Sequence, residues 1–224
     1  MKVLIVGGAF QYAKPFEHLA DDKVMFSNDP TDVYEIKPDL MIFTGGEDVT
    51  PSLYGERRHP ATRSCQMRDM RERTFYGAGQ EVGAKMVGIC RGAQFLTVMN
   101  GGKLVQHIHD HGISGTHTLE LNHESEVPVE ITSTHHQCMY PFNLSSSEYV
   151  IIAHSLSTHM EGVPEIDDLV PPVGVVPEIV WYDKTNCLCI QGHPEYMDTD
   201  SSGYLYVQFL IENLILEKDY AVES

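Results

Sequence analysis

The chain is short of long apolar runs, of basic residues and of phosphate-binding loops, and each shortage removes a class of function. Val3-Leu4-Ile5-Val6 stops after four residues at Gly7-Gly8, and no other stretch approaches the roughly 20 apolar residues of a membrane span. No membrane partner is expected. Lys and Arg number 15 against 32 Asp and Glu, a formal charge of −17 with the acidic residues scattered rather than blocked. That balance disfavours nucleic acid as a partner. The pattern G-x-G-x-x-G is absent after the first apolar run, as is a loop ending in Gly-Lys-Ser/Thr, so neither a dinucleotide nor ATP has an evident seat. The five cysteines form an odd count without scaffold spacing, and no secretory signal precedes them. A reducing, cytoplasmic setting is expected.

What remains suits a globular α/β protein. Hydrophobic residues make up 42% and charged residues 21% of the 224, enough to bury a core in a single domain over residues 1–224. Val3–Val6, Val24–Phe26, Leu40–Phe43 and Met86–Ile89 read as buried parallel strands, with an amphipathic helix from about Cys65 to Ala84 that Gly77, Gly79 and Gly83 weaken. Gly92–Met99 reads as a helix closed by Asn100-Gly101-Gly102. Thereafter the pattern is antiparallel: Thr118–Leu121, Val129–Thr132, Tyr149–Ala153, Glu178–Tyr182 and Leu188–Gln191. Glu161–Val176 reads as a surface loop or flap, and a closing helix is predicted from about Gly203 to Lys218.

Chemistry concentrates in Gly88-Ile89-Cys90-Arg91-Gly92-Ala93-Gln94. A cysteine between two glycines, where a strand turns into a helix, is how a chain exposes a nucleophile, and the helix N-terminus favours thiolate. The competing reading is a small buried core residue, but a core cysteine needs no glycine on either side. Downstream, His193-Pro194-Glu195 supplies a base and a carboxylate at i and i+2, which share a face in an extended segment. Glu195 can then orient His193 toward Cys90. An isolated histidine is more often structural; the neighbouring glutamate tips the balance. Cys187 and Cys189 lack a second pair of ligands and read as core, with Cys65 and Cys138 unassigned. His107, His109 and His111, with His117 and His123 beyond, read as exposed strand and loop histidines, and no metal is expected. Thr134-His135-His136-Gln137 reads as a hydrogen-bonded polar loop.

With the elbow and the late His-Pro-Glu both in hand, the chain resembles class I glutamine amidotransferase domains over nearly its whole length. Thr44-Gly45-Gly46-Glu47-Asp48-Val49-Thr50-Pro51 with Tyr54-Gly55-Glu56 resembles the gamma-glutamyl hydrolase branch, which includes gamma-glutamyl-gamma-aminobutyrate hydrolases. So do Arg68-Asp69 with Glu72, Gly101-Gly102-Lys103-Leu104 with Gln106, and His135-His136-Gln137. Three departures stand out. Thr97 replaces a usual asparagine, Gln191-Gly192 replaces a common tryptophan before His-Pro-Glu, and residues 155–176 lack the family's acidic spacing.

The resemblance implies a flavodoxin-like three-layer α/β/α sandwich with a mostly parallel central sheet and additional antiparallel strands. It implies Cys90 as nucleophile, His193 as general base and acid, Glu195 as orienter, and an oxyanion hole from the N–H of Arg91 and the Gly45-Gly46 turn. Gln94, His135 and His136 align with positions beside a bound gamma-glutamyl group. The expected reaction is cofactor-free hydrolysis of a gamma-glutamyl amide, either by a glutaminase serving an ATP-dependent synthetase partner or by a stand-alone hydrolase. A non-catalytic binding or regulatory module is the reading from another class.

Overall fold

A computed structural model describes residues 1–122, 127–166 and 172–216. His123, part of the 161–176 segment and the predicted helix end at Lys218 lie outside the described residues. In chain order the strands are β1 Val3–Val6, β2 Met25–Ser27, β3 Leu40–Phe43, β4 Lys85–Ile89, β5 Lys103–Val105, β6 His107–Ile108, β7 Gly112–Leu121, β8 Val129–Thr134, β9 Cys138–Tyr140, β10 Val150–Leu156, β11 Met160–Glu161, β12 Val175–Tyr182 and β13 Cys187–Ile190. The α-helices are α1 Asp32–Ile36, α2 Gln66–Val82, α3 Arg91–Met99 and α4 Ser202–Leu210.

Nine strands form one sheet in the order β2-β1-β3-β4-β13-β12-β10-β7-β8. The first five run parallel to one another, in the order that gives a flavodoxin-like sheet its ligand site beyond the strand carboxyl ends. β12, β10, β7 and β8 extend it by antiparallel pairing. The expected fold class is the one observed.

Alternation along each central strand produces the three layers. Val3, Ile5, Leu40, Ile42, Val87, Ile89, Leu188 and Ile190 face one side, against Tyr12, Phe16 and the α4 residues Tyr204 and Val207. Leu4, Val6, Met41, Phe43, Met86, Cys187 and Cys189 face the other, against Phe75 of α2 and Phe95 and Leu96 of α3. Each aliphatic side chain so buried contributes about 1.5–3 kcal/mol. Cys187 and Cys189 are therefore core residues, as their pattern suggested.

Differences from expectation are local. The stretch after β1 forms only short 3-10 turns at Phe10–Ala13 and Glu17–Leu19. α2 persists through its glycines, and at Gly79 a Cβ would meet the tips of the Met41 and Met86 side chains. Ser201 caps α4 by accepting from the Tyr204 N–H at 3.3 Å, and the helix passes into a π turn at Ile211–Ile215. The short strands β5, β6, β9 and β11 carry too few residues for a period to emerge from the sequence.

Candidate active site

β4 and β13 are adjacent and parallel, with Ile89 paired to Ile190. This one pairing closes the 103-residue gap between Cys90 and His193, because both segments leave the same sheet edge side by side. The Cys90 N–H donates to the Ile190 carbonyl at 2.8 Å, which fastens the elbow to the strand carrying the histidine.

Cys90 itself takes the strained backbone of the turn, at φ 53° and ψ −110°. A non-glycine residue held there costs on the order of 1–3 kcal/mol. The flanking glycines serve close packing. A Cβ on Gly88 would sit 2.5 Å from the backbone of Gly92, and one on Gly92 would run into the Phe43 carbonyl. They let the first turn of α3 settle directly onto β3 and β4. The N–H groups of Arg91, Gly92 and Ala93 then belong to a helix start, where backbone donors lack intrahelical acceptors.

His193 Nδ1 lies 2.6 Å from Glu195 Oε1, and both residues are buried. Burial alone would depress the imidazole. The Cys90 sulfur and the Glu195 carboxylate outweigh it and raise the ring to about 10. The His193 N–H is anchored on Thr132 Oγ1 of β8 at 2.7 Å, so the outermost antiparallel strand holds the histidine loop.

The Gly45-Gly46 turn follows β3 and faces the same point. A Cβ on Gly45 would lie 3.0 Å from His193 Cε1 and 3.5 Å from Cys90 Cβ, and would strike the Tyr12 hydroxyl. Gly46 takes φ 138° against the Arg68 guanidinium. Arg68 Nη2 donates to the carbonyls of Thr44 and Gly45, each at 2.9 Å, and its Nε donates to Glu72 at 2.7 Å. Arg91 turns its side chain away from the site and pairs with Glu72 and Asp69. Burial, with Arg68 nearby, pulls Arg91 down to about 10, which leaves it charged at neutral pH. Asp69 also accepts the Thr50 N–H at 3.1 Å. One buried ion network thus ties the glycine turn to the start of α3.

The remaining expected residues divide. Gln94 Nε2 donates to the Gln137 carbonyl at 3.0 Å and to Gln191 Oε1 at 3.2 Å. His135 is buried, with Nδ1 bonded to the same Gln137 carbonyl at 2.9 Å and its far edge turned toward Glu178. His136 is half-buried, with Nε2 3.0 Å from Asp48 Oδ1, and that bond raises the ring despite burial. Cys90, His193, Glu195 and Gly45 are brought together; His135 and His136 point into two different polar pockets. Sequence reasoning missed Tyr12, whose hydroxyl is pushed up by burial and by Glu195 and Cys90 and so stays protonated. A lone tyrosine in a turn carries no signal that would have found it.

A profile of the Peptidase C26 family matches residues 26–195, from β2 through the His-Pro-Glu segment. The chain belongs to the Peptidase C26 family. A Mycobacterium tuberculosis protein named a putative glutamine amidotransferase is 34% identical over 119 residues, which span 44% of this chain and 38% of that protein. This Peptidase C26 chain therefore covers well under half the length of that curated relative. Among solved structures, the Trypanosoma brucei CTPS glutaminase domain with bound acivicin superposes with a TM-score of 0.55 at 11% identity, covering 99% of this chain and 96% of that one. A Thermotoga maritima glutamine amidotransferase gives 0.54 at 12% identity, covering 94% and 80%. At these identities the likeness establishes a shared flavodoxin-like α/β fold. Among the described residues, no helix of this Peptidase C26 member is long and apolar enough to cross a membrane.

Proposed function

We propose that the chain hydrolyses a gamma-glutamyl amide, glutamine being the simplest, through a thioester on Cys90. The observation that carries this reading is the strained Cys90 beside a His193 whose other nitrogen is held by Glu195.

Cys90 Sγ attacks the side-chain carbonyl carbon. The oxyanion is met by the Arg91 N–H and the Gly45-Gly46 turn, donors fixed before reaction by the Arg68–Glu72–Arg91 network. His193 gives its proton to the departing amine as the tetrahedral species collapses, leaving a gamma-glutamyl thioester. Water then attacks the thioester while His193 takes its proton, glutamate leaves, and the thiolate–imidazolium pair is restored. Gln94 stands beside the gamma-glutamyl group, His135 acts one layer back through the carbonyl it shares with Gln94, and His136 is held aside by Asp48.

Family membership supports hydrolysis, and the likeness to a CTPS glutaminase domain supports glutamine as substrate. Ammonia is released, or is passed to an ATP-dependent synthetase partner that binds the chain. Purified protein is assayed against glutamine and a panel of gamma-glutamyl amines, with and without proteins that co-purify. Turnover of at least one gamma-glutamyl compound, lost in Cys90→Ala, is expected. Glutaminase activity that rises on adding an ATP-using protein selects the subunit role, and fast turnover of gamma-glutamyl amines by the chain alone selects the stand-alone hydrolase. Equal activity in Cys90→Ala contradicts the mechanism.

A further inference from the structure

The antiparallel side of the sheet holds a second polar centre that the thioester chemistry does not use. Glu178 of β12 is fully buried, and three histidines converge on it. His117 Nε2 of β7 lies 3.0 Å from Oε1, His111 Nε2 lies 3.6 Å from Oε1, and His135 Nε2 lies 3.7 Å from Oε2.

Counting hydrogens shows that this centre has too few. His111 Nδ1 is 3.0 Å from the Asp110 carboxylate and His135 Nδ1 is 2.9 Å from the Gln137 carbonyl. Both partners only accept, so each ring carries its hydrogen on Nδ1 and a neutral ring presents a bare lone pair at Nε2. The Ser155 hydroxyl is 2.8 Å from both His111 Nε2 and Glu178 Oε1, but it has one hydrogen for two acceptors. His117 Nε2 sits off the line that an N–H···O bond requires, and neither His135 Nε2 nor Glu178 Oε2 finds a hydrogen-bond partner among the described residues. Buried acceptors facing acceptors are costly unless something positive stands between them.

We infer that His111, His117 and Glu178 bind a divalent transition-metal ion of the zinc type. One ligand atom from each lies within 4.8 Å of the others. Atoms about 2.0–2.1 Å from a tetrahedral zinc stand about 3.3 Å apart, and the 3.0 Å and 3.6 Å separations from Oε1 bracket that figure. The Nδ1 bond of His111 to the Asp110 carboxylate is the kind of support that metal-ligating histidines use to fix tautomer and ring orientation. Ser155 or a water fills the fourth position, and His135 steadies the free carboxylate oxygen. The ion would brace β7 to β12 behind the site, since the Glu178 carbonyl accepts the Gln191 N–H at 2.8 Å, two residues before His193. This differs from the expectation of no metal, because alternate residues of the His107–His111 run separate in space. His109 instead faces Glu161 at 2.9 Å, and His107 packs beside His136.

The test uses the whole chain without a polyhistidine tag, stripped with chelator, reloaded with zinc and desalted before elemental analysis. About one zinc per chain is expected, together with a raised melting temperature. Cys90→Ala and His109→Ala should keep the ion, whereas His117→Ala should lower retained zinc at least tenfold. No zinc retained by the wild type, equal retention by His117→Ala, or loss in Cys90→Ala or His109→Ala each overturns the assignment. Cobalt loading of the wild type needs no variant: a visible band of a four-coordinate site is expected, and its absence also overturns the assignment.

Discussion

The parallel and antiparallel halves of the sheet serve the site by different means. On the parallel side, β1, β3 and β13 are buried along their whole length and β4 from Met86 on, and the chemistry is built from backbone: a strained turn at Cys90, a glycine turn after β3 and a helix start. On the antiparallel side, β7, β8, β10 and β12 contribute side chains, among them Thr132 under the histidine loop and Ser155 and Glu178 in a buried polar centre. Position in the first half is set by hydrophobic packing, which tolerates no added atom at Gly88 or Gly92. In the second half it is set by polar pairing, which tolerates no missing partner.

If backbone geometry makes the nucleophile, the sulfur is the least replaceable atom. Cys90→Ala should reduce turnover by about 10⁴-fold or more, while Glu195→Gln, which keeps a group beside His193 Nδ1, should lose markedly less. Steady-state kinetics on both variants checks this, and equal losses contradict the division between attacker and orienter. The buried ion network behind the turn comes next. Glu72→Gln leaves Arg68 and Arg91 short of a charge and should cost about 3–5 kcal/mol of stability, measured by denaturant unfolding. A cost below 1 kcal/mol would mean that the network does not hold the glycine turn.

Smaller effects sharpen the same contrast. Cys90→Gly should abolish activity yet stabilise the fold by about 1 kcal/mol, because glycine accepts the positive φ that cysteine resists. A destabilised variant would locate the strain elsewhere. A graded effect follows pH. His193 titrates near 10 in the folded chain against about 6.5 unfolded, so its stabilising contribution is complete below about pH 6.5 and is lost as pH rises through about 10. The stability difference between wild type and His193→Ala should shrink across that interval. A difference that widens with pH contradicts the raised value.

The same division decides what could be read from the sequence. Val3–Val6, Leu40–Phe43 and Met86–Ile89 announce themselves because a strand covered on both faces is apolar throughout, and the elbow glycines mark where helix meets strand. β8 and β10 are half-exposed, and register shifts fall around Ile151–His154 and between Gly112 and Thr116, so their periods break and β7 runs longer than Thr118–Leu121 suggests. Glu178 was visible only as part of a strand. Nothing local reveals that a buried glutamate will meet histidines 43, 61 and 67 positions earlier, at 135, 117 and 111. Tyr12 reaches the site through a fold-level contact with Gly45 and leaves no trace in its neighbours.

The most direct test of the Cys90–His193 arrangement is covalent labelling with a glutamine-like diazo-ketone under reducing conditions, read by intact mass and peptide mapping. A single adduct on Cys90, with labelling strongly slowed in His193→Ala, is the expected result. No adduct, or an adduct on Cys65 in place of Cys90, would contradict it.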